Sequence, residues 1–308
     1  MRIDADKIYG SLLGLVLADA LGAQFEGLQP EALHQKFSSK AAAFEYALLR
    51  DTLRYTDDGQ MTLVLAEYLT ENPRISSDDL MRCFVRAYES WRGYGRGARV
   101  LIEAFRDDAE YEFMAEHLFP GGSLGNGAAM RSAPVGLRYF GDTTAIWHEA
   151  KNSAWPTHRH ELGIEGAQLI ALATSLAASD RYIGPRALAE ALLPSCTTIV
   201  FQNRLNCLAE VVGLDDIAQF GNDIEAHESV VTALACFALY PTDYREAVAT
   251  AFWQGGDTDT IGAMTGALVG ARVGSGIARS MPLDRLEEGQ DFIAYLQDLA
   301  NRLAAIQE

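Results

Sequence analysis

Two clusters of oxygen-bearing side chains about two hundred residues apart, Thr56-Asp57-Asp58 and Asp257-Thr258-Asp259-Thr260, carry the most distinctive chemistry of this chain. Each opens a long apolar run of helical period. Brought together, they would set four carboxylates and two hydroxyls against one another. Such an array raises its own pKa values or repels unless divalent cations neutralise it. Successive carboxylates on a helix diverge by about 100°, so Asp57 and Asp58 cannot chelate one ion symmetrically, but they can reach two ions about 4 Å apart. The pattern therefore predicts a site for two Mg²⁺ or Mn²⁺ ions, with Thr56, Asp57, Asp58, Asp257, Asp259 and Thr260 as ligands. Each Thr-Asp pair would also serve as a helix N-cap, because both side chains accept bonds from the free N–H groups of a first turn. The two clusters together favour metal.

Three other segments bear on the same chemistry. Glu26 lies between Gly22 and Gly27, on a loop rather than a solvated helix face, and can point back into a cleft; Asp19, inside an apolar helical run, needs hydrogen bonds to survive burial and reads as structural. The Gly-rich stretch Gly121 to Arg131, with Ser123, Gly125, Asn126 and Gly127, matches neither a Walker A nor a dinucleotide fingerprint. Its backbone N–H groups could still cradle a phosphate without basic side chains. His158 and His160 precede a helix at a spacing unsuited to a helical metal pair, and read as substrate or supporting contacts. No Ser-His-Asp or Cys-His arrangement is visible, which disfavours covalent acyl chemistry.

The elements that must position these residues are helical. Apolar residues recur at three- and four-residue intervals over residues 8–21, 62–69, 80–91, 164–176, 185–193, 229–239 and 261–277, and period-two alternation is scarce. Thr197 to Phe201 could form a short strand, but one segment makes no sheet, so the chain is expected to be all-α. Gly10, Gly14, Ala18 and Gly22 fall four apart, as do Gly262, Gly266, Gly270 and Gly274. Gly inside a helix costs up to about 1 kcal/mol against Ala. Two such stripes therefore predict helices whose backbones approach closely near the centre of the domain.

At 308 residues and 49% hydrophobic, with no Pro- or Ser-rich linker, the chain is expected to form a single domain over residues 1–308. A net charge of −17 argues against a nucleic-acid surface; the arginines between Arg92 and Arg99 are local and offset by nearby acids. Cys83, Cys196, Cys207 and Cys236 show no paired spacing, which fits a reduced, cytoplasmic protein. The apolar run from Ile261 to Ala278 is rich in Gly and Ala and carries Arg272, so no membrane span is expected.

In this order the segments ADALG (18–22), FEG (25–27), TDDGQMT (56–62), GNGAAMR (125–131), THRH (157–160) and GGDTDTIGAMTGALVGA (255–271) resemble the ADP-ribosylglycohydrolase family, over nearly the whole chain. The resemblance implies a compact all-α orthogonal bundle whose central cleft holds two divalent cations and cleaves the bond at C1″ of ADP-ribose. It implies Thr56, Asp57, Asp58, Asp257, Asp259 and Thr260 as metal ligands, with Asp57, Asp58, Asp259 and Glu26 in the catalytic machinery. Ser123, Gly125, Asn126 and Gly127 would form the phosphate loop, and His158 would touch the adenosine end. An ADP-ribosylated protein, arginine-linked by preference, is the implied substrate, and ADP-ribose the product. Serine-linked and O-acetyl-ADP-ribose stay open as substrates. So do a phosphohydrolase activity and a non-catalytic role that blocks an ADP-ribosyltransferase partner. Ala18, Gly59 and Glu161 depart from the family's usual Gly, Thr or Ser, and Pro.

Overall fold

The computed structural model describes residues 2–108, 110–179, 181 and 184–306. Among them the regular elements are α-helices from Ala5–Gly22 to Gly289–Ala305, joined by short 3₁₀ turns, with two isolated β-bridges and no strand. The helix Thr258–Val273 is buried along almost its whole length and lies against Ala5–Gly22. Around this central pair pack Glu161–Ala178, Ala226–Leu239, Tyr244–Trp253 and Gly289–Ala305, and most of the buried apolar side chains join one continuous core. The apolar run that raised the membrane question is thus the core helix of the domain.

The two small-residue stripes face each other. A Cβ built on Gly14 would overlap the carbonyl oxygen of Gly266, one on Gly266 would overlap that of Gly14, and one on Gly270 that of Gly10. Ala18 is accommodated because it meets Gly262 and Gly266, neither of which has a side chain. Polar bonds reinforce the contact: Ser11 Oγ donates to Ala267 O at 2.9 Å and Thr258 Oγ1 to Gly22 O at 2.9 Å. From a third helix, Tyr244 donates its hydroxyl to Gly14 O at 2.7 Å. Gly274 belongs to the stripe in spacing but not in conformation: at φ +70° it caps the helix, and the chain continues as a 3₁₀ turn, Gly274–Ser280.

Two local expectations change. Residues 197–201 form no strand; the helix Ile199–Leu208 starts there, with the Thr198 hydroxyl as N-cap. The buried Glu165 carboxylate accepts bonds from the backbone N–H and hydroxyl groups of Thr197 and Thr198 and fixes the turn. Four β-branched residues in a row, Thr197, Thr198, Ile199 and Val200, had mimicked a strand. His160 is the N-cap of Glu161–Ala178, its Nδ1 accepting from Leu162 N–H at 3.1 Å, which removes it from the cleft. Glu161 then sits in the first turn, where a carboxylate suits the positive end of the helix.

The backbone contact makes a clear mutational prediction. Gly14→Val should destabilise the fold by about 1–3 kcal/mol, the range for overpacking a filled interior. Gly213→Ala, where an added Cβ meets nothing within 4 Å, should stay within about 0.5 kcal/mol of the parent. Thermal unfolding of the two variants side by side checks this, and equal midpoints would contradict the packing argument.

Candidate active site

The two acidic segments meet at two helix starts. Thr56 caps the helix Asp57–Glu71: its hydroxyl oxygen accepts from Asp58 N–H at 3.3 Å and its proton goes to Asp58 Oδ2 at 3.0 Å. Thr260, in the first turn of Thr258–Val273, donates its own hydroxyl to the same Asp58 Oδ2 at 3.3 Å. One carboxylate oxygen therefore receives a hydroxyl from each segment. The other, Asp58 Oδ1, is buried without any partner. Asp19 reaches across from the central helix and accepts from Thr56 N–H at 2.9 Å and Gly59 N–H at 2.8 Å, a helix cap supplied by a different element. Gly59 is needed for it: a Cβ there would lie 2.8 Å from the Tyr55 ring and 3.0 Å from Asp19 Oδ2. Oxygens of Asp19, Asp58 and Asp259 lie within 4.8 Å of one another.

A cleft of about 310 Å³ opens above this floor. Glu26, Asp57, Asp58, Asp257, Asp259 and Thr260 line it, as do Ser123, Gly125, Asn126, Gly127 and His158; Thr56 supports Asp58 from behind and does not. Glu26 is placed by two backbone bonds, Gly27 N–H to Gly256 O and Gly256 N–H to Leu28 O, both 2.8 Å, which tie its loop to the segment entering Asp257. Gly27 makes the turn at φ +76°. The Ser123–Gly127 loop is pinned by Asn126 N–H to Ile224 O at 2.8 Å and Ala226 N–H to Leu124 O at 3.0 Å, and continues as a 3₁₀ turn rather than an α-helix. Asn126 also donates its side-chain amide to Asp257 Oδ2 and to Ser229 Oγ. Gly125 N–H is taken by Ser123 Oγ at 3.3 Å. An anion on this wall would therefore draw on donors other than the N–H groups of Gly125 and Asn126.

One wall was not legible in the sequence. Gly93, Gly95, Arg96, Gly97 and Ala98 form a further rim of the cleft, with the Phe119 ring against Gly97. Arg92 anchors the rim: its guanidinium lies 3.9 Å from the Tyr55 ring centre and donates to Tyr55 O, Glu89 and Glu287. Tyr94 donates its hydroxyl to Gln60 Oε1 at 2.6 Å. Arg96 is the cation among the residues lining the cleft, and none of the described ion pairs includes it. The alternation of glycines with larger residues from Gly93 to Gly97 was the available signal. A larger hollow elsewhere, about 930 Å³, is an open groove along Asp78, Arg82, Asp108, Glu110, Tyr111, Glu112 and Phe113; among the described residues its acids do not come close enough together to share an ion.

The electrostatics show what the floor requires. Burial raises the pKa of Asp57, to about 7, and those of Asp58 and Asp259 well above the carboxylate range; repulsion adds to it, from Asp257 at all three, from Asp19 and Asp57 at Asp58, and from Asp58 at Asp259. Burial likewise raises Asp257, and burial together with Asp257 raises Glu26. Two helix N-termini offset only about 0.3–1 kcal/mol per charge, against several kcal/mol for burying each ion. Hard cations would relieve the repulsion and give the orphaned Asp58 Oδ1 a partner, so the oxygen-rich donor set fits divalent metal. His158, fully enclosed beside Arg131, is driven the other way, to about 3, by burial and by that guanidinium, and is neutral.

The helical fold thus closes an acidic floor and a donor-bearing wall into one cleft whose buried acidic cluster could hold metal, the arrangement of a metal-assisted enzyme. Residues 2–308 match the ADP-ribosylglycohydrolase family, and the chain belongs to that family. It is 30% identical over 311 residues to ADP-ribosylhydrolase ARH3 of Xenopus tropicalis, covering 88% of each chain. The Danio rerio protein of the same name is 29% identical, covering 95% of this chain and 90% of its own. A solved structure described as an ADP-ribosylglycohydrolase-related protein complex superposes with a TM-score of 0.68 at 26% identity, covering 99% of both chains.

The raised carboxylate pKa values carry a sign. Because Asp57 titrates near 7 when folded and near 4 when unfolded, the folded state holds more protons across that window, and metal-free stability falls as pH rises through it. The thermal midpoint of chelated protein should drop between pH 5.5 and 7.5, and saturating Mg²⁺ or Mn²⁺ should flatten the decline. Asp58→Asn should raise the metal-free midpoint at pH 7.5 by about 2–4 °C, equivalent to about 1 kcal/mol, and lose most of the rise that cations give the parent. A metal-free midpoint independent of pH over this window would contradict the reading.

Proposed function

We propose that the protein removes ADP-ribose from a modified protein side chain, with two Mg²⁺ or Mn²⁺ ions, by attack of water at C1″ of the distal ribose. The observation that carries this reading is the convergence of both acidic segments on Asp58, whose second oxygen is buried and unpartnered. Thr56, Asp57, Asp58, Asp257, Asp259 and Thr260 would hold the cations. Bound there, the ions would lower the pKa of a water and polarise the hydroxyls of the ribose.

The remaining work falls to this chain's own groups. Glu26 stands at the cleft edge on a loop tied to the Asp257 segment, and its raised pKa suits a carboxyl that holds or passes a proton near neutral pH. With cations bound, Asp57, Asp58 and Asp259 would be held ionised, and carboxylate charge near C1″ would favour a transition state with oxocarbenium character. The Ser123–Gly127 loop, His158 and Arg96 supply neutral and cationic donors on the walls, where a diphosphate needs them in so acidic a cleft.

An arginine N-glycoside is the first linkage to test, with serine O-glycosides and O-acetyl-ADP-ribose as the other substrate classes. Neither the fold nor the named relatives support an ADP-ribosyltransferase as a partner. Free thiols at all four cysteines agree with a reducing, cytoplasmic setting.

With ADP-ribosylated substrates of each linkage and Mg²⁺ or Mn²⁺, the product should be free ADP-ribose, without AMP or inorganic phosphate. Asp57→Ala and Asp259→Ala should each lower turnover by at least about 100-fold, and Glu26→Gln by about 10²–10⁴, the range for a positioned acid or base. Chromatography of the products and initial rates provide the readout. Release of AMP, or full activity in both aspartate variants, would overturn the proposal.

A further inference from the structure

Behind the cleft wall runs a line of buried polar groups that the proposed chemistry does not use. Arg131 is completely enclosed, its guanidinium 5.0 Å from the Phe84 ring centre. Nη1 donates to Gly127 O, and Nη2 donates to Ser153 O at 3.0 Å and to Thr157 Oγ1 at 2.8 Å. Thr157 Oγ1 is in turn 2.8 Å from His158 Nδ1, and both residues are buried.

Only one arrangement of protons satisfies this line. A guanidinium has donors and no acceptor, so the Thr157 oxygen must accept from Arg131. Its single hydrogen is then free for His158 Nδ1, which becomes an acceptor. Were Nδ1 protonated instead, the Thr157 oxygen would face two donors, and its own hydrogen would be buried with no described acceptor. A neutral imidazole with Nδ1 accepting carries its proton on Nε2. That nitrogen lies against the bare backbone of the loop: a Cβ on Gly127 would come within 3.3 Å of it, and one on Gly125 within 3.6 Å. No described protein group bonds Nε2, and the ring edge borders the cleft.

We propose that Arg131 and Thr157 are positioning residues that lock His158 in its Nε2–H tautomer, making it a fixed neutral donor to a diphosphate oxygen of the ligand held on the Ser123–Gly127 loop. The identity of the ligand rests on the function proposed above; the tautomer lock does not. A diphosphate oxygen only accepts, so a His158 presenting bare Nε2 would repel it. The wall thus gains a donor without adding a cation, and the proton cannot migrate to Nδ1 while Thr157 holds it.

The test is long-range ¹H–¹⁵N correlation NMR of the full chain with ¹⁵N-labelled histidine at pH 7.5, with His158→Gln to assign the signals. The parent and Thr157→Ser should show His158 with a protonated Nε2 and an unprotonated, hydrogen-bonded Nδ1, and Thr157→Val should lose that pattern. Calorimetric binding of ADP-ribose should weaken about tenfold in Thr157→Val, the factor for about one net hydrogen bond, and recover in Thr157→Ser. An Nδ1–H tautomer in the parent overturns the proposal even if the valine variant does not fold, as does an unchanged tautomer in Thr157→Val. A shifted tautomer with unchanged ADP-ribose affinity overturns the donor role. A locked tautomer in a parent that binds no ADP-ribose upholds the positioning and counts against the proposed function instead.

Discussion

Carboxylates buried together at two helix starts are the constraint around which this molecule is built. Asp57, Asp58, Asp257 and Asp259 are crowded in a buried setting that penalises their charge, and the hydroxyl and amide bonds they accept do not by themselves offset that cost. They are held by apolar packing elsewhere. The helices Ala5–Gly22 and Thr258–Val273 meet backbone to backbone along their glycines, which fixes where Thr258, Asp259 and Thr260 stand relative to Asp19. Asp19 then fixes the start of the Asp57–Glu71 helix through Thr56 and Gly59. A chain of short, stiff contacts thereby brings residues two hundred positions apart onto a single carboxylate.

The site divides its tasks among surfaces of different character. The floor is acidic and rigid, set by helix termini. The Glu26 loop is more exposed and tied down by two backbone bonds, which suits the proton-handling role proposed for it. The walls carry donors: the Ser123–Gly127 turn, the enclosed His158, and Arg96 on a glycine-rich rim braced by Arg92. This separation allows a protein with 42 acidic and 25 basic side chains to offer an anionic ligand a suitable surface.

Much of this was legible before any coordinates. The Thr-Asp clusters could be read because hard-cation chemistry demands oxygens in that density. The paired glycine stripes could be read because their helical cost has no other explanation. The all-α class followed from the period of the apolar residues. What could not be read was partnership. Asp19 was recognisable as a carboxylate in need of donors, but the donors, Thr56 and Gly59, come from another helix. His158 and His160 look alike in sequence, and only the turn after Pro156 sends one to the cleft and the other to a helix cap. The Gly93–Ala98 rim escaped because loops have no periodicity, and its arginines passed for a local basic patch. Thr197 to Phe201 misled because β-branched residues suit a strand and a capped helix start alike, and the buried Glu165 decides between them.

The central claim is that both acidic segments serve one pair of cations. Anomalous scattering from crystals grown with Mn²⁺ addresses it directly. The account predicts two peaks about 4 Å apart between the starts of the Asp57–Glu71 and Thr258–Val273 helices, with oxygens of both segments in contact. Mn²⁺ confined to one segment, or bound only at other surfaces while Asp58 Oδ1 stays bare, would contradict it.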